Sequence, residues 1–592
     1  MILIISMTNS FILPILVLLS PWYFSFFAES SATDANNNNN NCNDNNSNNS
    51  PFKIIVDGGS TGSRLHIFEL VEVDDEENEY VRRGSSRAHI PLSAFGRLPF
   101  ELNDDNTSLN PTEIAAHLLP LFEYAATIIP PQYYESTFVY YQGTAGMRLL
   151  ETSEQEAVYD ALFEGLMEDQ SFVFCGMQRN DISTLSGEME AYFGALSANY
   201  ILGLIDTKLR VISISNGEEK EDRHPVGALD MGGSSTQIVY IANKNEKMDL
   251  PIDFSTCPIV PPQYDEFDYV GGENTCRLSD EHFFSTSYLS YGVDQFRERL
   301  WNTFVEEHVI SEDENKNGSD DDTCGSKVIF NPYANKGYEV KYNGFSLLGT
   351  GSTEECIRQI KRLIPHPEIP HDFSPNDNDD DYNDINVNNE WVVGGIEHPP
   401  IQGKFLAMSL YFFSLDSLRV FSQPDEVAHT ALNKSWPNPS IDELYKALDG
   451  LCSRDWHGDM ALQEDVHSFT RAEVLPHRCL ETAYMVTLLR DGFGFHPSSR
   501  DITFTFLVDG DEVEWTLGMA LAMNADERGI HNNNGNLENT GEERNGERYN
   551  DDNNNCGEVM NNTIEDENED QFQGVSMESH LFGIALPPTH CC

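Results

Sequence analysis

The sequence predicts an α/β protein of two lobes, and two observations lead to this prediction. Segments with the two-residue apolar period of strands alternate with segments that have the 3.6-residue period of helices, from about Pro51 to Met523. In addition, a strand–turn–strand segment that begins at Val56 is echoed by a second one that begins at Leu229. Such a repeat fits two similar halves that face each other.

The predicted elements follow in order along the chain. Strands are predicted at Lys53–Val56, Leu65–Val71, Thr137–Tyr141, Phe172–Phe174, Ala228–Met231 and Gln237–Ile241. Helices are predicted at Pro111–Ile129, Glu154–Glu168, Met189–Gly203, Lys404–Phe421, Ser440–Leu451 and Cys479–Asp491.

Polar segments rich in Asn and acidic residues interrupt this pattern. Their composition cannot bury enough apolar surface to offset the entropy of ordering, so we expect solvated or disordered inserts. They are residues 33–50, 72–79, 216–224, 311–323 and 374–390, together with a low-complexity tail at 524–592.

The beginning of the chain has the pattern of an export signal. Residues 2–28 contain no charged side chain and have an apolar centre at Phe11–Leu19. This favours a signal peptide at 1–28 over an uncleaved N-terminal membrane anchor, followed by an Asn-rich disordered linker at 29–51. We therefore expect a protein that is secreted or resides in the Golgi or endomembrane lumen, where disulfides and N-glycans form. Glycosylation sequons lie at Asn45, Asn48, Asn106, Asn317, Asn433 and Asn561.

The charge balance excludes one class of partner. The chain has 36 Lys and Arg against 97 Asp and Glu, which gives a formal net charge of −61. Such a charge argues against nucleic acid or an anionic membrane surface as a partner. A phosphate ligand would need local donors that override this field, so its site should be visible as specific loops.

Two Gly-rich hairpins provide such loops. Asp57–Arg64 (DGGSTGSR) and Asp230–Gln237 (DMGGSSTQ) each place an aspartate at the end of an apolar strand, before a turn and a second strand. Glycines let the backbone approach an anion, hydroxyls add donors, and the aspartate can hold a metal ion through water. One copy would be explained as an ordinary turn, but two copies favour a phosphate site. Neither copy is a Walker A or dinucleotide-binding loop.

Together with other segments, these hairpins resemble the conserved regions of the apyrase, or ecto-nucleoside triphosphate diphosphohydrolase (CD39-like), family. The further matching segments, in the family's order, are Gln142–Leu150, Ser186–Gly194, Gln402–Phe405 with Tyr411–Phe413, Leu488–Phe495 and Trp515–Gly518. The resemblance implies a hydrolase of nucleoside tri- and diphosphates, with two ribonuclease-H-like lobes, as in actin and Hsp70, around a nucleotide cleft. Lobe I would be 52–187 with 498–523 returning to it, and lobe II would be 188–497.

The resemblance also implies roles for individual residues. Glu190 would be the general base, and Ser235 and Gln237 would position the attacking water. Asp57 and Asp230 would hold a Ca²⁺ or Mg²⁺ ion through water. Phosphate would be bound by Gly59, Ser60, Thr61, Gly62, Ser63, Arg64, Thr144, Gly232, Gly233, Ser234, Ser235, Thr236 and Gln237. Tyr411 and Phe412 would stack on the base, although an apolar helix face explains them equally well.

Three positions depart from the family's pattern. Ala191 replaces the usual Gly, Ala195 the usual Trp and Gly143 the usual Ala. The polar catalytic set is complete, so we expect activity.

Two other functions use related hairpins. One is an actin- or Hsp70-like nucleotide-binding module or sugar kinase, against which the export signal argues. The other is an exopolyphosphatase, but the loop Ser60–Arg64 resembles apyrases more closely.

The cysteine pattern fits disulfides better than zinc, because the 11 cysteines include no CxxC pair. The resemblance implies Cys452–Cys479, and it suggests Cys257–Cys324 with Cys276–Cys356. The last four cysteines allow three connectivities.

Overall fold

The computed structural model describes residues 50–74, 77–96, 109–212, 224–241, 277–315, 328–365 and 391–534. The strands in these ranges are β1 (Phe52–Gly59), β2 (Gly62–Asp74), β3 (Glu77–Ala88), β4 (Phe138–Gly143), β5 (Ile182–Thr184), β6 (Gly227–Met231), β7 (Ser235–Tyr240), β8 (Phe284–Leu289), β9 (Val328–Asn331), β10 (Glu339–Tyr342), β11 (Phe345–Gly349), β12 (Trp391–Val393), β13 (Ile396–His398), β14 (Phe405–Ala407), β15 (Ile502–Phe504), β16 (Leu507–Val508) and β17 (Asp511–Glu512). The α-helices are α1 (Ser93–Gly96), α2 (Pro111–Ile128), α3 (Ala145–Arg148), α4 (Thr152–Glu168), α5 (Gly187–Ile201), α6 (Val293–Asn315), α7 (Thr353–Leu363), α8 (Leu410–Phe421), α9 (Glu426–Ser435), α10 (Ile441–Cys452), α11 (Arg478–Thr487) and α12 (Trp515–Asn534). All the sheets belong to one compact unit that ends at Asn532.

The first sheet has the strand order β3-β2-β1-β4-β5. Its strands β1, β2 and β3 are antiparallel, whereas β4 runs parallel to β1 and β5 parallel to β4. Helices α2 and α4 share a buried core with Ile54 and Val56 of β1. Helix α2 begins at Pro111, whose missing N–H costs nothing at a helix start. Helix α4 begins where Glu154 accepts a hydrogen bond from the Glu151 N–H (3.0 Å).

The second sheet repeats this plan. Its order is β15-β14-β6-β7-β8. Strands β6, β7 and β8 are antiparallel, and β14 and β15 extend the sheet in parallel from β6. Three antiparallel strands followed by two parallel strands therefore occur twice, which confirms the predicted α/β fold with sheets in two lobes. In both sheets a Gly-rich hairpin joins the first two strands.

Helices α5 and α12 lie in a core that both sheets share. One buried cluster contains Ile55 of β1, Leu196 of α5, Leu406 of β14 and Leu517 of α12. The two helices approach so closely that a Cβ on Gly518 would lie 1.8 Å from the backbone oxygen of Phe193. Only glycine fits there. This contact holds α5, the helix that carries Glu190, against α12.

Three sequence-based predictions of local structure were wrong. Phe172–Phe174 forms no strand; Phe172 packs edge-on against Phe122, and the sheet is completed by β5 instead. Residues 404–409 are not helical, because Phe405–Ala407 pairs with both β6 and β15, and α8 begins at Leu410. The acidic segment 72–79 is not an insert, since Glu72 pairs with Asn78 across β2 and β3.

The other predicted inserts and both chain ends fall largely outside the described residues. These are 1–28, 29–51, 216–224, 311–323, 374–390 and most of 524–592. The lobe boundaries stay a prediction. Strand β15 lies in the second sheet, whereas Glu512 contacts the first through Arg64, so the returning segment would begin after Phe504 rather than at 498. Within the described ranges, none of the helices is both long and apolar enough to cross a membrane.

The disulfide predictions had mixed outcomes. Cys452 and Cys479 are bonded, as predicted. Cys356 lies buried with a free thiol, so the suggested Cys276–Cys356 bond was wrong. Cys257, Cys276 and Cys324 lie outside the described residues. Cys175, for which no bond was predicted, is disulfide-bonded.

Candidate active site

The first hairpin presents Asp57 at the end of β1. Asp57 pairs with Arg64 across the two strands, and Gly59 pairs with Gly62 around the turn. Gly62 has φ +141°, a conformation almost confined to glycine, and a Cβ there would lie 2.2 Å from the Ala88 oxygen. The turn therefore depends on this glycine, which leaves Ser60 and Thr61 at its tip.

The second hairpin faces the first. Asp230 pairs with Gln237 in the same register, and the Gly232 N–H donates to the Ser235 oxygen (2.9 Å). A Cβ on Gly233 would lie 3.1 Å from Ser60 Oγ of the first hairpin. The two turns thus approach each other directly. The absence of a side chain at Gly233 keeps the space between them open.

Glu190 lies in the first turn of α5, which begins at Gly187 directly after Ser186. The Ser186 hydroxyl caps this helix by accepting from the Met189 N–H (3.2 Å). Glu190 is only 8% exposed, and its Oε2 accepts from Arg148 Nη2 (2.8 Å) and Gln237 Nε2 (3.0 Å). Burial raises the pKa of Glu190 to about 7, against the lowering effect of the Arg148 charge. A carboxylate with this pKa is suited to accept a proton near neutral pH.

Ser235, Gln237 and Glu190 form one hydrogen-bonded group. The Gln237 amide nitrogen lies 2.8 Å from Ser235 Oγ, 3.0 Å from Glu190 and 3.0 Å from Ser287 Oγ. An amide has two N–H hydrogens, so at most two of these acceptors are strongly bonded at once. The third is then free to bond another group, such as a water.

Arg148 completes this group and was not identified from the sequence. Its Nη2 lies 2.8 Å from Glu190 and 3.2 Å from Ser235 Oγ, and its Nη1 donates to the Leu185 oxygen (3.0 Å). Arg148 thereby holds the base, the water-positioning serine and the start of α5 together. Nothing in its local pattern distinguishes it from a surface arginine at a helix end. Only its place in the family-like segment Gln142–Leu150 could have indicated it.

Asp57 and Asp230 are partly buried carboxylates whose charges interact with that of Glu190. Burial, followed by the charges of Glu190, Glu514 and Asp230, raises the pKa of Asp57 well above its usual value. Burial also raises the pKa of Asp230, although a hydrogen bond from Ser409 opposes this. Asp57 Oδ1 is buried and makes no hydrogen bond. Clustered carboxylates with an unsatisfied oxygen are a set that a divalent cation would stabilise.

The geometry of these carboxylates fits a water-mediated ion. Among the described residues, none of the groupings of His, Cys, Asp and Glu has three or more members placed to bind a metal directly. An ion between Asp57 and Asp230 would therefore complete its shell with water and ligand oxygens, as hard oxygen-loving cations do.

The predicted phosphate-binding residues divide into two groups. Gly59, Ser60, Thr61, Gly232 and Gly233 line the facing turns, and Ser234 lies buried beside them. Thr144 adjoins the first turn, since its N–H donates to the Gly58 oxygen (3.0 Å). The second group, Ser63, Thr236 and Arg64, is directed elsewhere.

Ser63 and Thr236 hold equivalent places in the repeat, and both hydroxyls face the core. Each residue is 0% exposed. Ser63 Oγ lies 3.1 Å from the Tyr141 hydroxyl, and Thr236 Oγ1 lies 3.1 Å from the Tyr411 hydroxyl. Their side chains therefore anchor the hairpins, and only their backbone groups remain for the predicted phosphate contacts.

Arg64 is also committed away from the turns. Its guanidinium is paired with Glu512 (2.8 Å) and Glu514 (3.1 Å). The structure does not bring it into the group around Glu190. The reason is that Glu512 and Glu514 bind it instead. No local sequence pattern connects these two carboxylates with the hairpin.

Both residues predicted to stack on the base are largely enclosed. Tyr411 is fully buried beneath the second hairpin. Phe412 is 9% exposed and packed by Phe413, Phe469 and Phe506, so it offers little free face for a base. Of the unusual alanines, Ala191 is 3% exposed and belongs to an apolar cluster, which indicates that its methyl group fills core space. Ala195 lies in the same cluster.

Comparisons with known proteins agree with this geometry. The model of the GDA1/CD39 (nucleoside phosphatase) family matches residues 43–533. The chain is 24% identical to the Golgi apyrase of Saccharomyces cerevisiae over 498 residues, covering 79% of this chain and 70% of that protein. It is 23% identical to ectonucleoside triphosphate diphosphohydrolase 1 of Mus musculus over 482 residues, covering 79% and 80%.

A solved structure has the same fold. The crystal structure of nucleoside triphosphate hydrolases from Neospora caninum superposes with a TM-score of 0.50 and 13% sequence identity. The superposition covers 81% of this chain and 93% of that one. At this sequence identity the likeness concerns the fold.

Replacing Glu190 by Gln should lower kcat by about 10²- to 10⁴-fold, because the amide cannot accept a proton. Nucleotide binding should change little, since a general base acts mainly on the transition state. Steady-state kinetics and equilibrium binding of a non-hydrolysable nucleotide measure the two effects. Glu188→Gln is the matched control, because Glu188 lies on the same helix turn but is exposed. A variant that loses binding with turnover, or keeps both, would show that the base is misassigned.

The pH profile should report the ionisation of Glu190. Its pKa of about 7 means that the base is protonated, and the enzyme slow, below that pH. We expect kcat/KM to rise with pH through about 7 and then level off. Arg148→Gln removes a charge that lowers this pKa, so the rise should move to higher pH. An acid limb near pH 4 to 5, or one that Arg148→Gln leaves in place, would contradict the assignment.

Proposed function

This chain belongs to the GDA1/CD39 (nucleoside phosphatase) family, whose members hydrolyse the phosphoanhydride bonds of nucleotides, and we propose that it does so between its two hairpins with Glu190 as general base. The observation that carries the proposal is the buried carboxylate of Glu190. It is held by Arg148 and Gln237 and has a pKa of about 7. Its environment combines the position and the proton affinity that a base needs.

The attacking water would lie between Glu190, Ser235 and Gln237. These three groups supply one proton acceptor and two orienting polar atoms, which is sufficient to aim a water molecule. Its proton passes to Glu190 as its oxygen bonds to the terminal phosphorus. The bond from that phosphorus to the bridging oxygen breaks, and a nucleotide shorter by one phosphate leaves.

Donors on the facing turns would hold the phosphate chain. The backbone N–H groups around Ser60 and Gly233 come from opposite hairpins, and the Thr61 hydroxyl adds a side-chain donor at the open edge. Fixed amides aimed at developing negative charge stabilise a transition state without reorganising. Holding the chain from both sides would also set its direction relative to the water.

The protein depends on a divalent cation, as its family does, and we propose Ca²⁺ or Mg²⁺ held through water by Asp57 and Asp230. When bound, the ion would neutralise phosphate charge and orient the terminal group. The clustered carboxylates and the unsatisfied Asp57 Oδ1 support this assignment.

We further propose that the protein works in the lumen of the secretory pathway or outside the cell. One relative is a Golgi apyrase and another an ecto-enzyme by name. The disulfide between Cys452 and Cys479 supports this, because disulfides persist mainly in oxidising compartments.

A substrate panel tests the function. Purified protein should release phosphate from nucleoside triphosphates, diphosphates or both, in Ca²⁺ or Mg²⁺ and without an acceptor. The release should vanish in excess chelator, since the proposed site has only oxygen ligands. Release from polyphosphate alone would indicate an exopolyphosphatase, and dependence on a sugar acceptor would indicate a kinase. Undiminished activity in chelator would refute the role of the ion.

A further inference from the structure

A cluster of five ionisable residues lies beside the first hairpin, and the proposed reaction does not use it. We call it the ion cluster. Its members are Arg64 and His66 of β2, Arg82 of β3, and Glu512 and Glu514 from the returning end of the chain. His66 is fully buried with its Nε2 2.7 Å from Glu514. The other four side chains are partly exposed, between 17% and 35%.

Arg64 is the member that connects this cluster with the active site. It stands directly opposite Asp57 in the β1–β2 register, so the two side chains leave the same face of the sheet. Oppositely charged cross-strand neighbours normally attract and pair. A free Arg64 would therefore be expected to bind Asp57.

The structure shows a different pairing. All three guanidinium nitrogens of Arg64 are occupied elsewhere: Nη2 by Glu512, Nη1 by Glu514 and Nε by Ser85 Oγ (3.0 Å). Asp57 Oδ1 meanwhile has no hydrogen-bond partner although it is buried. The two carboxylates bind the guanidinium, so Arg64 acts on Asp57 through its charge but leaves Oδ1 without a hydrogen bond.

The second hairpin supplies an internal comparison. The residue that corresponds to Arg64 is Gln237, which pairs with Asp230 as Arg64 pairs with Asp57. Gln237 is neutral and cannot neutralise its aspartate. A restraint on the side chain opposite the aspartate is therefore needed only in the first hairpin. There Glu512 and Glu514 restrain Arg64.

We propose that Glu512 and Glu514 are positioning residues that sequester Arg64, so that Asp57 remains available to the divalent ion. The inference rests on the proposed role of Asp57 in holding that ion. In this proposal Arg64 would compete with the divalent ion for Asp57 if the two carboxylates did not restrain it. Arg64 is then not a phosphate ligand. The proposal also gives the returning segment a function in the active site, although that segment touches neither hairpin turn.

The electrostatics of the ion cluster support this division of roles. Burial opposes the ionisation of Glu514, but His66 and Arg64 outweigh it and lower its pKa, so Glu514 stays charged. Glu512 is shared between Arg64 and Arg82, which makes the restraint a network and not a single exposed pair.

The test is a double-mutant cycle on metal affinity. Calcium is titrated calorimetrically into protein saturated with the β,γ-imido analogue of ATP, so that no turnover enters the readout. Glu512→Gln with Glu514→Gln should weaken calcium binding at least about tenfold, because Arg64 then turns to Asp57. Adding Arg64→Gln should restore the affinity to within about threefold. Arg64→Gln alone should change it by less than about threefold, because the native Arg64 is already held away.

Controls separate this inference from general damage and from the proposed function. Glu69→Gln breaks a similar ion pair, with Arg83, on the same two strands but away from Asp57, and it should leave calcium affinity unchanged. Should the double variant fail to fold, Glu512→Gln alone disturbs a more exposed member of the ion cluster. It should give a smaller loss with the same relief by Arg64→Gln. If Asp57→Asn leaves calcium affinity unchanged, Asp57 does not hold the ion. That result would refute this part of the proposed function as well as the inference that rests on it.

Two results would overturn the inference while that role stands. One is a double variant that binds calcium as tightly as the native protein. The other is a loss that Arg64→Gln does not relieve, or an equal gain from Arg64→Gln in both backgrounds, since either would mean that the residues are not coupled.

Discussion

The approach of the two Gly-rich turns is the contact on which the rest of the site depends. Each turn ends a hairpin whose first strand is mostly buried, so neither can shift without disturbing its own sheet. Ser60 of one turn lies against Gly233 of the other, with no side chain at Gly233 to separate them. Because each hairpin also carries an aspartate at its base, this approach gathers two carboxylates and two sets of backbone donors around one space. A phosphate chain with its cation would match that arrangement in charge.

The second constraint is the burial of Glu190. A carboxylate this enclosed resists ionisation, and Arg148 offsets part of the resistance, so its pKa settles near 7. The packing of α5 against β7 and α12 therefore sets both the position of the Glu190 carboxylate and its pKa. Gly518 allows the close approach of α12. The segment from Glu512 into α12 therefore influences the site in two ways. Its helix packs against α5, and its carboxylates hold Arg64.

The sequence was sufficient to predict the structural elements that repeat along the chain and those that follow a local apolar period. The hairpins were found because the pattern of Asp57 recurs at Asp230, and most long helices because of their apolar stripes. Contacts between distant segments could not be predicted: Glu512 is 448 residues from Arg64. The inward direction of Ser63 and Thr236 depends on tyrosines in other elements, which no spacing reveals. Phe172 was mistaken for a strand residue because an apolar run looks the same whether it pairs or packs.

If both hairpins hold one phosphate chain, hydrogen exchange should detect nucleotide at both. Backbone amides of Asp57–Arg64 and Asp230–Gln237 are followed in the free protein, with calcium alone, and with calcium plus a non-hydrolysable nucleotide. Nucleotide with calcium should slow exchange in both hairpins, and calcium alone should do much less. Protection confined to the first hairpin would contradict this prediction, because the second would then not belong to the site.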